Sequence, residues 1–217
     1  MSVWVKICGI TRMSDAEAAI ESGAEAIGLN FVPQSPRCLA PADARRIALG
    51  CAARVTRVGL FMDAPLGQVL TTLDEVPLDL VQFHGNESDE YCRAYGRTAR
   101  QPYIKVLPVR ETIDLSRAVA RYPDAWALLL DTWADGKSGG TGKTFDWSLW
   151  PQAAGARLIL AGGLDPANVG DAVRRLHPWG VDVSGGVEGS ERGHKDPERI
   201  RQFITEVRRA GSERAGS

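Results

Sequence analysis

One pattern repeats from end to end of the chain: a short apolar, β-branched run followed by an amphipathic stretch. The runs lie at Val3–Cys8, Glu25–Phe31, Thr56–Phe61, Leu78–Phe83, Tyr103–Leu107, Trp126–Asp131, Leu158–Ala161 and Val181–Ser184. Helical patterns begin near Asp15, Pro41, Pro65, Glu87, Glu111, Phe145, Pro166 and Pro197. The four prolines among these suit a first helical turn, where a missing N–H leaves nothing unpaired. Asp165 and Asp196 stand just before two of them, as N-caps do. Eight such units in 217 residues is about 27 residues each, just under the ~30 of a βαβ unit. The pattern predicts an α/β fold, a single (β/α)8 TIM barrel over residues 1–209, with 210–217 as a frayed, small and polar tail. A doubly wound open sheet also alternates strands and helices. Eight full repeats with no linker and no second compositional regime favour closure.

Composition narrows the function. Lys+Arg 26 against Asp+Glu 27 gives a net charge of −1. That balance supplies no field for gripping a polyanion, so nucleic acid is not an expected partner. No apolar run approaches the ~20 residues of a membrane-spanning helix, and the start Met1-Ser2-Val3-Trp4-Val5-Lys6 lacks the layout of a secretory signal. Cys8, Cys38, Cys51 and Cys92 are too widely spaced for a metal knuckle or a disulfide scaffold. A cytoplasmic protein with reduced thiols and no metal is the expectation.

In a barrel of this kind, chemistry gathers at the C-terminal ends of the strands. Those ends read Lys6-Ile7-Cys8-Gly9, Asn30-Phe31, Phe61-Met62-Asp63, Gln82-Phe83-His84-Gly85, Lys105-Val106-Leu107, Asp131-Thr132, Ala161-Gly162-Gly163 and Ser184-Gly185-Gly186. Residues two apart share a face. If Cys8 points into the mouth, Lys6 lies in the barrel beneath it. By the same count Gln82 lies beneath His84, Leu129 beneath Asp131 and Asp182 beneath Ser184. A buried Lys or Asp needs a partner. Five lysines against 21 arginines make Lys6 and Lys105 unusual inside strands; Lys105 either points inward or leaves at a strand edge.

The last two units each end in a glycine pair, Gly162-Gly163 and Gly185-Gly186, the latter preceded by Ser184. Glycines let backbone N–H groups approach an anion closely, so Gly162, Gly163, Ser184, Gly185 and Gly186 form a candidate phosphate site, against the plainer reading of two ordinary turns. After the sixth strand, Gly142-Lys143-Thr144 superficially suggests a nucleotide loop, but Lys137 occupies the position where that motif requires glycine. A glycine-rich lid over the site is the expectation there.

Together these motifs resemble the phosphoribosylanthranilate isomerase family of tryptophan biosynthesis. The stretches that carry the resemblance are Lys6-Ile-Cys-Gly-Ile-Thr11, Gln82-Phe-His-Gly85, Leu130-Asp-Thr132, Gly139-Gly-Thr-Gly-Lys-Thr-Phe-Asp-Trp147, Ala161-Gly-Gly-Leu164 and Val181-Asp-Val-Ser184 with Gly186-Val-Glu188. They run in order along essentially the whole chain. Gly185 departs from the pattern, standing where many relatives have serine, which leaves only its backbone N–H to offer.

The resemblance implies a cofactor-free Amadori rearrangement of N-(5-phosphoribosyl)anthranilate, a small phosphosugar–anthranilate, by a monomer or homodimer. It implies Cys8 as the base, Asp131 as the acid and Arg37 as the grip on the anthranilate carboxylate. His84 and Asp182 are implied as substrate contacts, or as members of an internal polar network. Such an acid and base need environments that drive their pKa values apart. A ribulose-phosphate epimerase would want a metal or matched acids, and an indole-glycerol-phosphate synthase a lysine in place of Cys8. A non-catalytic phosphometabolite sensor would need no acid/base couple.

Overall fold

The structure, a computed structural model, describes residues 2–99, 101–109, 114–132, 150–151 and 155–213. Eight parallel strands close on themselves in chain order: β1 (Trp4–Cys8), β2 (Ala26–Asn30), β3 (Thr56–Phe61), β4 (Leu80–Phe83), β5 (Tyr103–Val109), β6 (Ala127–Thr132), β7 (Leu158–Leu160) and β8 (Gly180–Val183). The last strand returns to the first, with Val5 opposite Val181 and Lys6 opposite Asp182. That ladder makes the sheet a barrel and excludes the open alternative. The helices described are α1 (Met13–Glu21), α2 (Pro41–Gly50), α3 (Leu66–Glu75), α4 (Asp89–Ala99), α5 (Leu115–Arg121), α6 (Val169–Leu176) and α7 (Pro197–Glu213). The helix expected near Phe145 and the glycine-rich loop before it lie outside the described residues.

Side-chain alternation divides every strand between two cores. Val58, Leu80, Ile104, Val106, Leu129 and Ile159 pack together in the barrel interior. Their sequence neighbours, among them Val81, Leu128, Leu130, Leu158 and Leu160, join the core between barrel and helices. Trp4, Trp126 and Trp179, at the N-terminal ends of β1, β6 and β8, contact one another with ring centroids 5.1–5.6 Å apart and close the barrel floor. The opposite, C-terminal mouth is left to polar groups.

The helices follow their caps and stripes. Asp196 Oδ1 accepts from the backbone N–H of Glu198 at 2.9 Å, capping α7 as expected. Asp165 Oδ1 accepts from Ala167 and Asn168, but this closes a turn and α6 begins only at Val169. In α7 the buried positions Ile200, Phe203, Ile204, Val207 and Ala210 form one apolar stripe. Ala210 belongs to that stripe, so the helix continues to Glu213, past the boundary expected at 209.

Lys105 corrects the inward alternative. Its neighbours Ile104 and Val106 face the barrel interior, so Lys105 faces the helix layer, where it is buried. Its Nζ donates to Glu87 Oε2 at 2.8 Å and to the Gly85 carbonyl at 2.7 Å. Glu87 also accepts from the backbone N–H groups of Asp63 at 2.9 Å and Gly85 at 3.0 Å. One buried pair thus ties together the ends of β3, β4 and β5, and α4 starts at Asp89 rather than near Glu87. Lys105→Met should destabilise the fold by about 3–5 kcal/mol, because Glu87 is left as an uncompensated buried charge. Denaturant unfolding measures this, and adding Glu87→Gln should recover part of the loss.

Candidate active site

The mouth begins at the β1–β8 seam. Lys6 is fully buried and donates from Nζ to Asp182 Oδ1 at 2.9 Å. Burial works against its charge, but Asp182 together with Cys8 outweighs it and holds the ammonium above its ordinary pKa. Cys8, one pleat higher on the same face, is buried at the end of β1. Burial pushes its thiol up, with Lys6 as the main opposing influence. Gly28 on β2 makes room for both: a Cβ there would stand 2.8 Å from Cys8 Sγ and 3.1 Å from Lys6 Nζ.

Across the barrel, Asp131 lies near the end of β6 on the face of Leu129, its side chain 14% exposed. His84, immediately after β4, places Nε2 at 3.2 Å from Asp131 Oδ2. Its Nδ1 lies 3.2 Å from Gln82 Nε2. Gln82, His84 and Asp131 therefore form a short polar chain from barrel wall to mouth. His84 has joined an internal network; Asp182 likewise faces Lys6.

Arg37 enters from the loop after β2 and lies over Gly9. Gly9 has φ +73°, and a Cβ there would come 2.4 Å from Arg37 Cδ and 3.1 Å from Ser184 Oγ, so only glycine fits. The Nε–Nη2 edge of Arg37 donates to both oxygens of Glu188, at 2.6 and 2.9 Å. Glu188 also accepts from the buried Lys195 Nζ at 3.1 Å. Burial favours protonating Glu188, but the Arg37 hydrogen bonds and Lys195 hold its carboxyl down to about 2. Lys195 Nζ also donates to the Ser184 carbonyl at 3.1 Å.

The two glycine loops meet. Gly162 and Gly163 both take left-handed φ, +84° and +63°. Gly186 lies in a 3₁₀ turn over Gly185–Val187, and a Cβ on it would strike the Leu164 carbonyl at 1.8 Å. Hence Gly186 is required for the loops to touch. Cys8, Ser184, Arg37 and the glycine loops gather on one side of the mouth, with Asp131 and His84 carried by β6 and β4.

Three contributors were not singled out from sequence. Gly28 had a signal, an isolated glycine within a strand pattern, which often marks a close approach. Glu188 stands in the Gly186-Val-Glu188 stretch that carries the resemblance, but nothing there gives it a role, and Lys195 has no signal, since a lone loop lysine looks like solvated surface until the fold buries it.

Comparison with known proteins follows the same lines. A family model described as N-(5'phosphoribosyl)anthranilate (PRA) isomerase matches residues 5–206. The N-(5'-phosphoribosyl)anthranilate isomerase of Cellvibrio japonicus (strain Ueda107) is 50% identical over 204 residues, 94% of this chain and 93% of the relative. The crystal structure of phosphoribosyl anthranilate isomerase from Thermotoga maritima superimposes with a TM-score of 0.84 at 42% identity, covering 94% of this chain and 98% of that one. A structure of the isomerase in complex with reduced 1-(o-carboxyphenylamino)-1-deoxyribulose 5-phosphate gives 0.79 at 38% identity, with coverage of 94% and 98%.

The depressed pKa of Glu188 links the site to acid stability. A carboxyl lowered on folding contributes stability that is complete above its unfolded value and is lost as pH falls through its folded one. The window here runs from 4.5 down to about 2. Glu188→Gln should therefore unfold more easily than the parent near neutrality, with the gap narrowing across that window. Chemical denaturation at a series of pH values checks it.

Proposed function

The chain belongs to the N-(5'-phosphoribosyl)anthranilate isomerase family, and on that premise we propose that Cys8 and Asp131 are the base and the acid of its reaction. The enzyme catalyses the Amadori rearrangement of N-(5'-phosphoribosyl)anthranilate to 1-(2-carboxyphenylamino)-1-deoxyribulose 5-phosphate, a step of tryptophan biosynthesis. The rearrangement moves hydrogens within one molecule with no net change in oxidation level, so one acid and one base suffice.

In this reading Asp131 protonates the ribose ring oxygen, the bond from that oxygen to C1 breaks, and the anilino nitrogen lone pair forms the C=N bond. Cys8 thiolate then removes the proton from C2, and the released electron pair gives the enolamine, which tautomerises to the ketone. The observation that carries the assignment is placement: Cys8 on β1 and Asp131 on β6 both stand at strand C-terminal ends, each with its own partner, Lys6 or His84. Burial makes the Cys8 thiolate a stronger base once formed, and Lys6 is the neighbouring charge that favours forming it.

The supporting contacts extend the proposal. A guanidinium offers two bidentate edges; with the Nε–Nη2 edge on Glu188, the outer Nη1–Nη2 edge of Arg37 receives the anthranilate carboxylate. Backbone N–H groups of Gly162, Gly163, Ser184, Gly185 and Gly186 receive the phosphate. His84 and Asp182 act through Asp131 and Lys6 rather than by gripping the sugar. Every group comes from one chain, so a monomer and a homodimer would carry the same site.

Cys8→Ala and Asp131→Asn should each lower kcat by roughly 10²–10⁴-fold while leaving product-analogue affinity within a small factor. The substrate's anthranilate fluorescence follows turnover directly, and parental kcat in either variant would overturn that residue's role. Because Cys8 must be ionised while Asp131 is protonated, kcat/KM should follow a bell in pH, with burial of the thiol moving the limb that Cys8 governs to higher pH. Arg37→Met keeps bulk but removes the fork, so KM should rise far more than kcat falls, by about 1.5–3 kcal/mol in binding. Unchanged KM would return Arg37 to a purely structural partnership with Glu188.

A further inference from the structure

Gln82 is fully buried on the interior face of β4, between Leu80 and His84. Its Nε2 lies 3.2 Å from His84 Nδ1, and among the described residues its Oε1 has no hydrogen-bond partner. A dry, unpaired amide oxygen is destabilising and asks for an explanation. Methionine would fill the same interior position without that penalty. The reason for an amide here lies in its hydrogen-bond contact with His84.

A neutral imidazole carries one N–H and one bare nitrogen, and the partner of one nitrogen decides the state of the other. Gln82 presents an N–H to Nδ1. With that N–H donated, Nδ1 is the bare nitrogen and the hydrogen is on Nε2, aimed at Asp131 Oδ2. An imidazolium would need hydrogen on both nitrogens, and its Nδ1–H would face the N–H of the fully buried Gln82.

We propose that Gln82 is a positioning residue that holds His84 neutral, in the Nε2–H form, so that Asp131 meets a hydrogen-bond donor rather than a positive charge. A full positive charge at that distance favours the carboxylate over the acid. A neutral donor orients Oδ2 and leaves the proton on Oδ1, facing the substrate. The inference rests on the acid role proposed above for Asp131.

The chain has three histidines, His84, His177 and His194, so NMR of the imidazole nitrogens can resolve each one, with His84→Asn identifying the His84 signals. In the unliganded parent near neutral pH, His84 should show a protonated Nε2 and a bare Nδ1. Gln82→Glu keeps the shape but sets an acceptor against Nδ1. It should move the hydrogen to Nδ1 or give the imidazolium, with kcat falling about tenfold or more and KM little changed. Gln82→Met should release the tautomer without creating the charge and lose less activity. A parent with Nδ1–H or a cationic His84 overturns the proposal, as does a folded Gln82→Glu with unaltered His84 signals and kcat. Failure of the acid assignment is separately visible, as parental kcat in Asp131→Asn with the His84 spectrum as expected.

Discussion

The ion pair between Lys6 and Asp182 joins the two ends of the chain's logic. Its members are 176 residues apart and meet across the seam where the first strand bonds to the last. A buried charge without a partner is prohibitive, so Lys6 can occupy the barrel interior only when β8 has returned to supply Asp182. Closure of the barrel and completion of the mouth are therefore one event. The pair contributes little certain net stability, since desolvation offsets much of the attraction. What it does is place a permanent positive charge beneath Cys8.

The second buried pair has the same character in the other core. Lys105 and Glu87 fasten the loop ends of β3, β4 and β5 from the helix side. The segment they fasten carries His84. The third ionic group, Arg37, Glu188 and Lys195, fastens the loops after β2 and β8 to one another. Each side of the mouth is thus held by charges that are paired and largely dry, on a scaffold whose floor is closed by three tryptophans. Rigid placement of this kind is what general acid–base chemistry requires, because proton transfer depends on hydrogen-bond-range geometry.

Glycine serves the mouth by absence. Gly28 leaves space for the Cys8 thiol and the Lys6 ammonium, Gly9 lets Arg37 lie across the backbone, and Gly186 lets the last two loops touch. In each case the neighbour is a residue the site uses, so a methyl group would shift the site before it disturbed the core.

Much of this was legible in the linear order of residues. Period-two alternation fixes which residues of a strand share a face, so once Cys8 is set at the mouth Lys6 lies beneath it, as Gln82 lies beneath His84. Caps at Asp196 and apolar spacing along α7 likewise follow from local rules that act within a few residues. The direction of Lys105, the onset of α4 and the extent of α7 were decided by tertiary contacts: the pull of Glu87 and the burial of Ala210. The partnership of Arg37 with Glu188, and the burial of Lys195, could be decided only there. Alternation and capping are short-range, so sequence alone determined the succession of strands and helices and which residues of a strand share a face. Which charges meet depends on loops brought together from opposite ends of the chain, and only the closed barrel sets that distance.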